Sequence, residues 1–161
     1  MRIVLALAAA ALTALSGDSD SATAMITVAT GAHAGTFLVR NTDSPCEITK
    51  QKAPRPRHQF AVSIGEVTPK IDADRLTLVR LIIPDADLRG PIHSFFASIN
   101  FGYVGQGTEY MAETRPGEKI GGSGTVTLVA HGQDATVLLD IVSASGVSYT
   151  GTIQCSEVSH Y

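Results

Sequence analysis

Residues 124–155 read GTVTLVAHGQDATVLLDIVSASGVSYTGTIQC, and this stretch indicates how the chain folds. Apolar residues recur at every second position, first at Val126 and Leu128 and then at Val137 and Leu139. A period of two is typical of strands that bury one face. The turn-forming sequences HGQD and SG separate three such runs. This third of the chain therefore predicts three strands joined by tight turns.

The same alternation extends through most of the chain, where runs rich in Val, Ile, Thr and Leu are separated by Gly, Pro, Asp and Asn. The run Arg75–Ile83 is apolar enough to indicate a strand that is covered on both faces for part of its length. We predict an all-β fold, an antiparallel β-sandwich with an immunoglobulin-like arrangement, or an open barrel as the alternative. The expected strands are 26–30, 35–40, 46–50, 59–64, 75–83, 94–102, 109–114, 124–130, 136–143 and 147–155.

The N-terminal segment has the pattern of a secretory signal peptide. Arg2 precedes a 13-residue apolar run, Ile3–Leu15, which is too short to cross a bilayer as a helix. Small residues permit cleavage after Ala24, which leaves a single β-domain 25–161, or after Ser16, which adds a short polar linker. We expect a secreted, periplasmic or cell-envelope protein, with no transmembrane segment in the mature chain.

Two cysteines in an exported chain predict one disulfide, Cys46–Cys155. The residues are 109 positions apart, and closing a loop of that size restricts the unfolded chain by roughly 4–5 kcal/mol. Strand alternation places Cys155 on the core side. The alternative is a pair of metal-binding or redox thiols, but the sequence has no CxxC spacing to favour it.

Charge and composition argue against nucleic acid as a partner. Removing Arg2, Asp18 and Asp20 with the segment 1–24 leaves 12 − 1 = 11 basic and 15 − 2 = 13 acidic residues, a net charge of −2. Such a domain is not steered toward nucleic acid or an anionic membrane. Tryptophan is absent and the other aromatic residues are few, so we do not expect a large aromatic binding surface.

The densest basic stretch of the sequence is KQKAPRPRH at residues 50–58. Its two prolines hold the chain extended, so the charges are presented rather than packed. One interpretation is a site for an anionic ligand or partner, and the alternative is a solvated loop between two strands. The candidate binding residues are Lys50, Lys52, Arg55 and Arg57.

Other polar clusters lack the spacing that chemistry requires. The five histidines form no metal-binding motif, and Gly121–Thr125 departs from the G-x-S-x-G motif of hydrolases at its last position. The aspartate pairs of Asp72-Ala-Asp74 and Asp85-Ala-Asp87 flank one strand, so they are either separate turn motifs or separate calcium ligands. We predict no catalytic residue, metal site or cofactor. One further candidate is a surface site lined by Tyr103, Gln106 and Tyr110.

Three features give the chain a resemblance to small mycobacterial envelope lipoproteins of the 19-kDa-antigen type. They are Leu15-Ser16-Gly17 after an Ala-rich signal, Cys46 at the start of the domain, and a Thr-rich last strand that ends at Cys155. The resemblance implies a compact β-domain of the cell envelope without a known reaction. Asp18 stands where those lipoproteins carry the lipid-bearing cysteine, so no lipid anchor is expected.

Residues 145–149 read SGVSY, which is similar to the S-G-x-x-Y loop of periplasmic inhibitors of C-type lysozyme. That resemblance implies an inhibitory loop with Ser145, Gly146 and Tyr149, although strand alternation turns Tyr149 toward the core. Our leading hypothesis is a non-catalytic envelope or secreted module that binds an extracellular protein, a polymer or a small ligand. An inhibitor of an extracellular hydrolase is second, and an enzyme with a site not visible in the sequence is third.

Overall fold

A computed structural model describes residues 21–41, 43, 45–52, 56–65 and 72–161. Over these residues the protein is all-β, with eleven strands and no helix, which confirms the predicted fold class. Ten of the strands overlap the predicted ones. The strands are β1 (Ala22–Val28), β2 (Gly35–Asn41), β3 (Cys46–Gln51), β4 (Arg57–Gly65), β5 (Leu76–Ile83), β6 (Phe96–Phe101), β7 (Thr108–Glu113), β8 (Ser123–His131), β9 (Asp134–Val142), β10 (Ser148–Cys155) and β11 (Val158–His160).

The strands form two sheets that pack as a sandwich. One sheet has five strands in the order β2-β1-β10-β9-β8, and the other has six in the order β11-β3-β4-β5-β6-β7. Neighbouring strands are antiparallel throughout, except that β11 runs parallel to β3. The chain therefore begins in the five-stranded sheet, builds most of the second sheet, and returns to the first. The immunoglobulin-like arrangement stays a prediction.

Strand alternation explains where the core lies. On β9, Ala135, Val137, Leu139 and Ile141 are buried, whereas the residues that alternate with them are exposed or half-buried. Phe60 and Ile64 of β4 are buried from the opposite sheet. Each such side chain contributes roughly 1.5–3 kcal/mol through the removal of apolar surface from water.

The central strand β5 is buried on both faces over its first half, as its apolar sequence predicts. Residues 76–79 are all buried, whereas Arg80 is exposed. The register with β6 shifts between Leu76 and Leu78, which marks a bulge. Thr77, although polar, is buried because its hydroxyl has carbonyl partners on the neighbouring strand and loop.

The predicted disulfide is present and joins the two sheets. Cys46 begins β3 of the six-stranded sheet, and Cys155 ends β10 of the five-stranded sheet. Both residues are buried, which confirms the core-facing position expected for Cys155. The bond therefore connects the sheets through their shared core.

The chain end and the β5–β6 connection close the edges of the sandwich. The backbone groups of Ile92 and Val126 form a reciprocal pair of hydrogen bonds, which attaches the connection to β8. Tyr161 bonds through its backbone to Ile48 and Lys50, so the tail lies against β3. None of the described residues forms a helix that is both long and apolar enough to cross a membrane.

Candidate functional site: the His33 cleft

Three loops meet around a cleft of about 440 Å³, which we call the His33 cleft. The β1–β2 loop supplies His33, the turn before β5 supplies Ala73, and the β6–β7 loop supplies most of the remaining wall. Loops that a rigid sheet holds in place often carry binding residues. The lining residues are His33, Ala73, Gly102, Tyr103, Gln106, Gly107 and Thr108.

The imidazole of His33 is buried against aromatic rings at the base of the cleft. The residue is 7% exposed, and its ring stacks on Phe101 with centroids 4.2 Å apart. Its Nδ1 lies 2.9 Å from the hydroxyl oxygen of Tyr110, and its Nε2 lies 3.6 Å from Oδ1 of Asp74. In the tautomer that protonates Nε2, the Tyr110 hydroxyl donates to Nδ1 and the Nε2–H group faces Asp74.

Aromatic rings also pack around Phe101, on which the His33 ring stacks. Phe37 and Tyr110 both meet Phe101 edge to face, with ring centroids 4.9 and 6.0 Å away. Such pairs stabilise a fold by about 0.5–1.5 kcal/mol beyond the area that they bury. The His33 ring therefore packs against rings of β6 and β7, and Phe37 of β2 packs against Phe101 in turn.

The β6–β7 loop exposes two large apolar side chains, of which one lines the cleft. Tyr103, in the cleft lining, is 53% exposed, and its neighbour Val104 is 57% exposed. Gly102 and Gly105 flank them with φ angles of 77° and 81°, which L side chains adopt at a cost. The loop closes through hydrogen bonds from the backbone N–H groups of Gln106 and Gly107 to the carbonyl of Tyr103.

A buried polar network fixes the start of this loop. The Thr77 hydroxyl donates to the carbonyl of Gly102 at 2.6 Å, and the Asn100 amide donates to the same carbonyl at 3.0 Å. The Asn100 amide also donates to the Thr77 hydroxyl oxygen. Because both residues are buried and paired, they hold the loop without offering groups to a ligand.

The cleft lining presents groups that can contact a polar ligand. An exposed phenol ring stands beside an amide, a hydroxyl and the edge of an imidazole. The lining includes no cysteine, serine or lysine that His33 could activate as a nucleophile. In the described part of the chain, no three His, Cys, Asp or Glu side chains come close enough together to hold a metal ion.

The sequence analysis singled out Tyr103, Gln106 and Tyr110, and all three belong to this region. Tyr103 and Gln106 line the cleft, and Tyr110 lies beneath it. Sequence reasoning did not assign His33 or Asp74 to the same site. These residues come from separate loops, and no local spacing connects them.

The basic stretch does not form a single cationic surface among the residues described. The register pairs Lys50 with His58 and Gln51 with Arg57, so Lys50 and Arg57 project from opposite faces of the sheet. Lys50, Lys52 and Arg57 are exposed, and Arg55 lies outside the described residues. The anion-binding hypothesis for this hairpin stays a prediction.

Asp87 lies beside the basic stretch and holds the start of β4. Its carboxylate accepts from the backbone N–H of His58 at 3.0 Å and lies 2.8 Å from the His58 Nδ1. The hydrogen bond from the His58 side chain is the main reason that the pKa of Asp87 lies below its ordinary value. The Asp85 carboxylate accepts from the Asp87 backbone, and Asp72 and Asp74 repeat this turn motif.

The SGVSY segment offers only part of its sequence to solvent. Ser145 and Gly146 are exposed, whereas Tyr149 is 1% exposed on the inner face of β10. The turn is fixed by reciprocal backbone and hydroxyl bonds between Ser143 and Val147. A cleft-inserting loop based on this segment would therefore lack its tyrosine.

Two further features mark the electrostatics outside the cleft. Arg115 donates two hydrogen bonds of 2.6 Å to the buried Glu113 carboxylate, which lowers the pKa of that carboxyl group. Burial raises the pKa of Tyr149 far above its ordinary value, and its hydroxyl has no hydrogen-bond partner. The ion pair stabilises the fold, the unpaired Tyr149 hydroxyl destabilises it, and none of the three residues lines the His33 cleft.

A second depression of about 430 Å³ lies between residues 86–90 and 127–131. Its lining includes Arg89 and His131, both of which are exposed, and no aromatic ring of Phe or Tyr. The His33 cleft differs because a buried imidazole and an exposed phenol meet there. We therefore take the His33 cleft as the candidate site.

The comparisons with known proteins do not assign the chain to a family. A scan of protein-family models finds no match, and searches of curated proteins and of solved structures find no significant relative. The functional argument consequently rests on the residues of the cleft.

Proposed function

We propose that the protein is an exported, non-catalytic binding domain that holds a hydroxyl-rich ligand of the carbohydrate class in the His33 cleft. One observation carries the proposal: the half-exposed ring of Tyr103 stands beside a cleft lined by His33, Gln106 and Thr108. A sugar ring has an apolar C–H face and a rim of hydroxyl groups. The cleft combines matching surfaces for both.

The polar groups of the cleft suit neutral hydroxyl groups. The Gln106 amide both donates and accepts, as does the Thr108 hydroxyl. The phenol ring of Tyr103 provides an apolar surface with a polar tip, which favours partly wet binding sites. The Asp74 carboxylate at the mouth disfavours an anionic ligand, so we expect a neutral or cationic sugar.

The rigidity of the cleft supports the same function. His33 is fixed by stacking and a hydrogen bond, and the loop start is fixed by Thr77 and Asn100. A preformed site loses less conformational entropy when it binds. Shallow sites for single sugars are weak, so specificity would come from the positions of a few polar groups.

Export is supported by the disulfide and by the sequence of the first residues. Disulfides form and persist in oxidising compartments, and Cys46–Cys155 joins the two sheets. The apolar run Ile3–Leu15 after Arg2 fits a secretory signal. We propose a periplasmic, cell-envelope or secreted location, where carbohydrate polymers are abundant ligands.

The test is calorimetric titration with tetrasaccharides of glucose, mannose and N-acetylglucosamine. We expect at least one to bind, and Tyr103→Ala to weaken that binding about tenfold or more because the stacking surface is lost. Tyr161→Ala is the matched control, since Tyr161 is an exposed tyrosine that follows β11, lies beside β3 and does not line the cleft. It should bind like the parent.

Two results would contradict the proposal. The first is that none of the three tetrasaccharides binds at millimolar concentration. The second is binding that Tyr103→Ala leaves unchanged. Loss of that binding when Lys50 and Lys52 are changed to Ala would then place the ligand on the basic hairpin.

A further inference from the structure

The first described residues are integral to the fold. Ser21 is 3% exposed, Ala22 is 1% exposed and Ala24 is fully buried. Ala22, Ala24 and Ile26 are buried at alternate positions, which is the pattern of a strand whose inner face packs into the core. The burial indicates that this segment is part of the domain.

Strand pairing explains why these residues cannot be dispensed with. β1 lies between β2 and β10, so each of its residues has a neighbour on both sides. Ala22 pairs with Cys155 and with Asn41, and Ala24 pairs with Ile153 and with Val39. Loss of this half of β1 would open a gap in the middle of the five-stranded sheet, next to the disulfide.

Ser21 adds hydrogen bonds that close the same corner. Its hydroxyl contacts the carbonyl oxygens of Asn41 and Asp43. Its own carbonyl accepts from the backbone N–H of Ser156 at 2.9 Å and from the Ser156 hydroxyl at 3.1 Å. A chain that began at Met25 would leave all of these groups without their partners.

We propose that a signal peptidase processes this chain after Ser16, and that Ser21–Ala24 remain as the start of the mature domain. The Ala14-Leu15-Ser16 sequence places small residues at positions −3 and −1, as that enzyme requires. Ala22-Thr23-Ala24 has the same pattern, but cleavage there removes the residues that β1 buries. The inference rests on the export that we propose above.

The test is mass spectrometry of the N-terminal peptide of the full chain after expression with its own leader in a secreting host. We expect the mature protein to begin at Gly17. A mature chain that begins at Met25 would overturn the inference and leave export intact. A chain that keeps Met1 through Ser16 would overturn both this inference and the proposed export.

A pair of variants makes the cleavage site itself testable. Ser16→Leu places a bulky side chain at position −1, so we expect the precursor to accumulate at least severalfold. Ser19→Leu changes a nearby residue outside both cleavage triplets and should be processed at the parental rate. Equal processing of Ser16→Leu and the parent would overturn the inference.

Discussion

Two buried tyrosines mark two regions of this molecule that are built differently. Tyr149 is 1% exposed within the core between the sheets, and its hydroxyl has no partner. Tyr110 is 7% exposed beneath the His33 cleft, and its hydroxyl lies 2.9 Å from the Nδ1 of His33. The core depends on apolar packing and the disulfide, whereas the cleft depends on placed polar contacts. Buried polar groups are ordinarily paired in this way, so the unpaired Tyr149 hydroxyl is the exception and the Tyr110–His33 contact follows the rule.

The largest effect should come from the core region, through the disulfide. Replacing both Cys46 and Cys155 by Ala removes a loop constraint that spans 109 positions, so we expect a loss of roughly 4–5 kcal/mol in the free energy of unfolding. Urea denaturation of the double variant and of the oxidised parent measures this loss. Reduction of the parent should reproduce most of it, and an unchanged midpoint in both cases would contradict the account.

The second effect should come from the cleft loop. A Cβ atom at Gly107 would clash with the carbonyl oxygen of Phe101, so Gly107→Ala must displace backbone. We expect a cost of about 1–3 kcal/mol together with a loss of saccharide binding, because the loop can no longer close. Thermal unfolding measures the loss of stability, and calorimetric titration measures the loss of saccharide binding.

Gly105→Ala is the control for that variant. Gly105 has a φ angle of 81° but nothing within 4 Å of an added Cβ, so only the backbone conformation opposes the substitution. Its cost should be about 1–2 kcal/mol, with saccharide binding retained. Equal loss of binding in both variants would show that the close approach to Phe101 is not what shapes the cleft.

A third prediction concerns the Tyr110 hydroxyl, which contacts His33 beneath the cleft. Tyr110→Phe removes the partner of the buried His33 Nδ1, so we expect a loss of about 1 kcal/mol in the free energy of unfolding. Saccharide binding should weaken as well, since the imidazole loses one of its two orienting contacts. If Tyr110→Phe is as stable as the parent, the hydrogen bond between Tyr110 and His33 does not stabilise the fold, and the account of the cleft is contradicted.

The fourth prediction has the opposite sign. Tyr149→Phe removes a buried hydroxyl that has no partner, so we expect the free energy of unfolding to rise by roughly 1 kcal/mol without any effect on binding. Parallel urea denaturation of Tyr149→Phe and Tyr110→Phe compares the two regions directly. Destabilisation by both variants would remove the distinction between them.

The same variant should also change the alkaline stability. Burial raises the pKa of Tyr149 in the folded state above the ordinary value of 10.0, so the folded chain keeps a proton that the unfolded chain releases. Stability therefore falls as pH rises above about 10. Between pH 10 and 11, the free energy of unfolding of Tyr149→Phe should fall less steeply with pH than that of the parent. An identical slope in the two proteins would contradict the raised pKa of Tyr149.

The fold was accessible from the sequence because alternating apolar residues and turn residues recur regularly. One strand, β11, and the first residues of β1 were missed for physical reasons. β11 has only three residues, and its pairing with β3 depends on contacts more than 100 residues apart in the chain. The start of β1 was assigned to the signal peptide, because the small residues that fit a cleavage site also fit a tightly packed central strand.

The candidate site was only partly accessible. Its glycine-rich loop with Tyr103 and Gln106 was visible as a local pattern, but His33 lies 77 residues from the tyrosine that it contacts. The basic hairpin shows the opposite case, in which residues close together in sequence are separated by the fold. Its charges are dense in sequence, yet pairing in the sheet sends Lys50 and Arg57 to opposite faces.

The central claim is that the His33 cleft, rather than the hairpin or an outer sheet face, is the ligand site. The most direct measurement is amide chemical-shift mapping of the ¹⁵N-labelled protein with the three tetrasaccharides. We predict shifts concentrated at residues 102–108, His33 and Asp74, and their disappearance in Tyr103→Ala. Shifts concentrated at Lys50 and Lys52, or no shifts at saturating saccharide, would contradict the account.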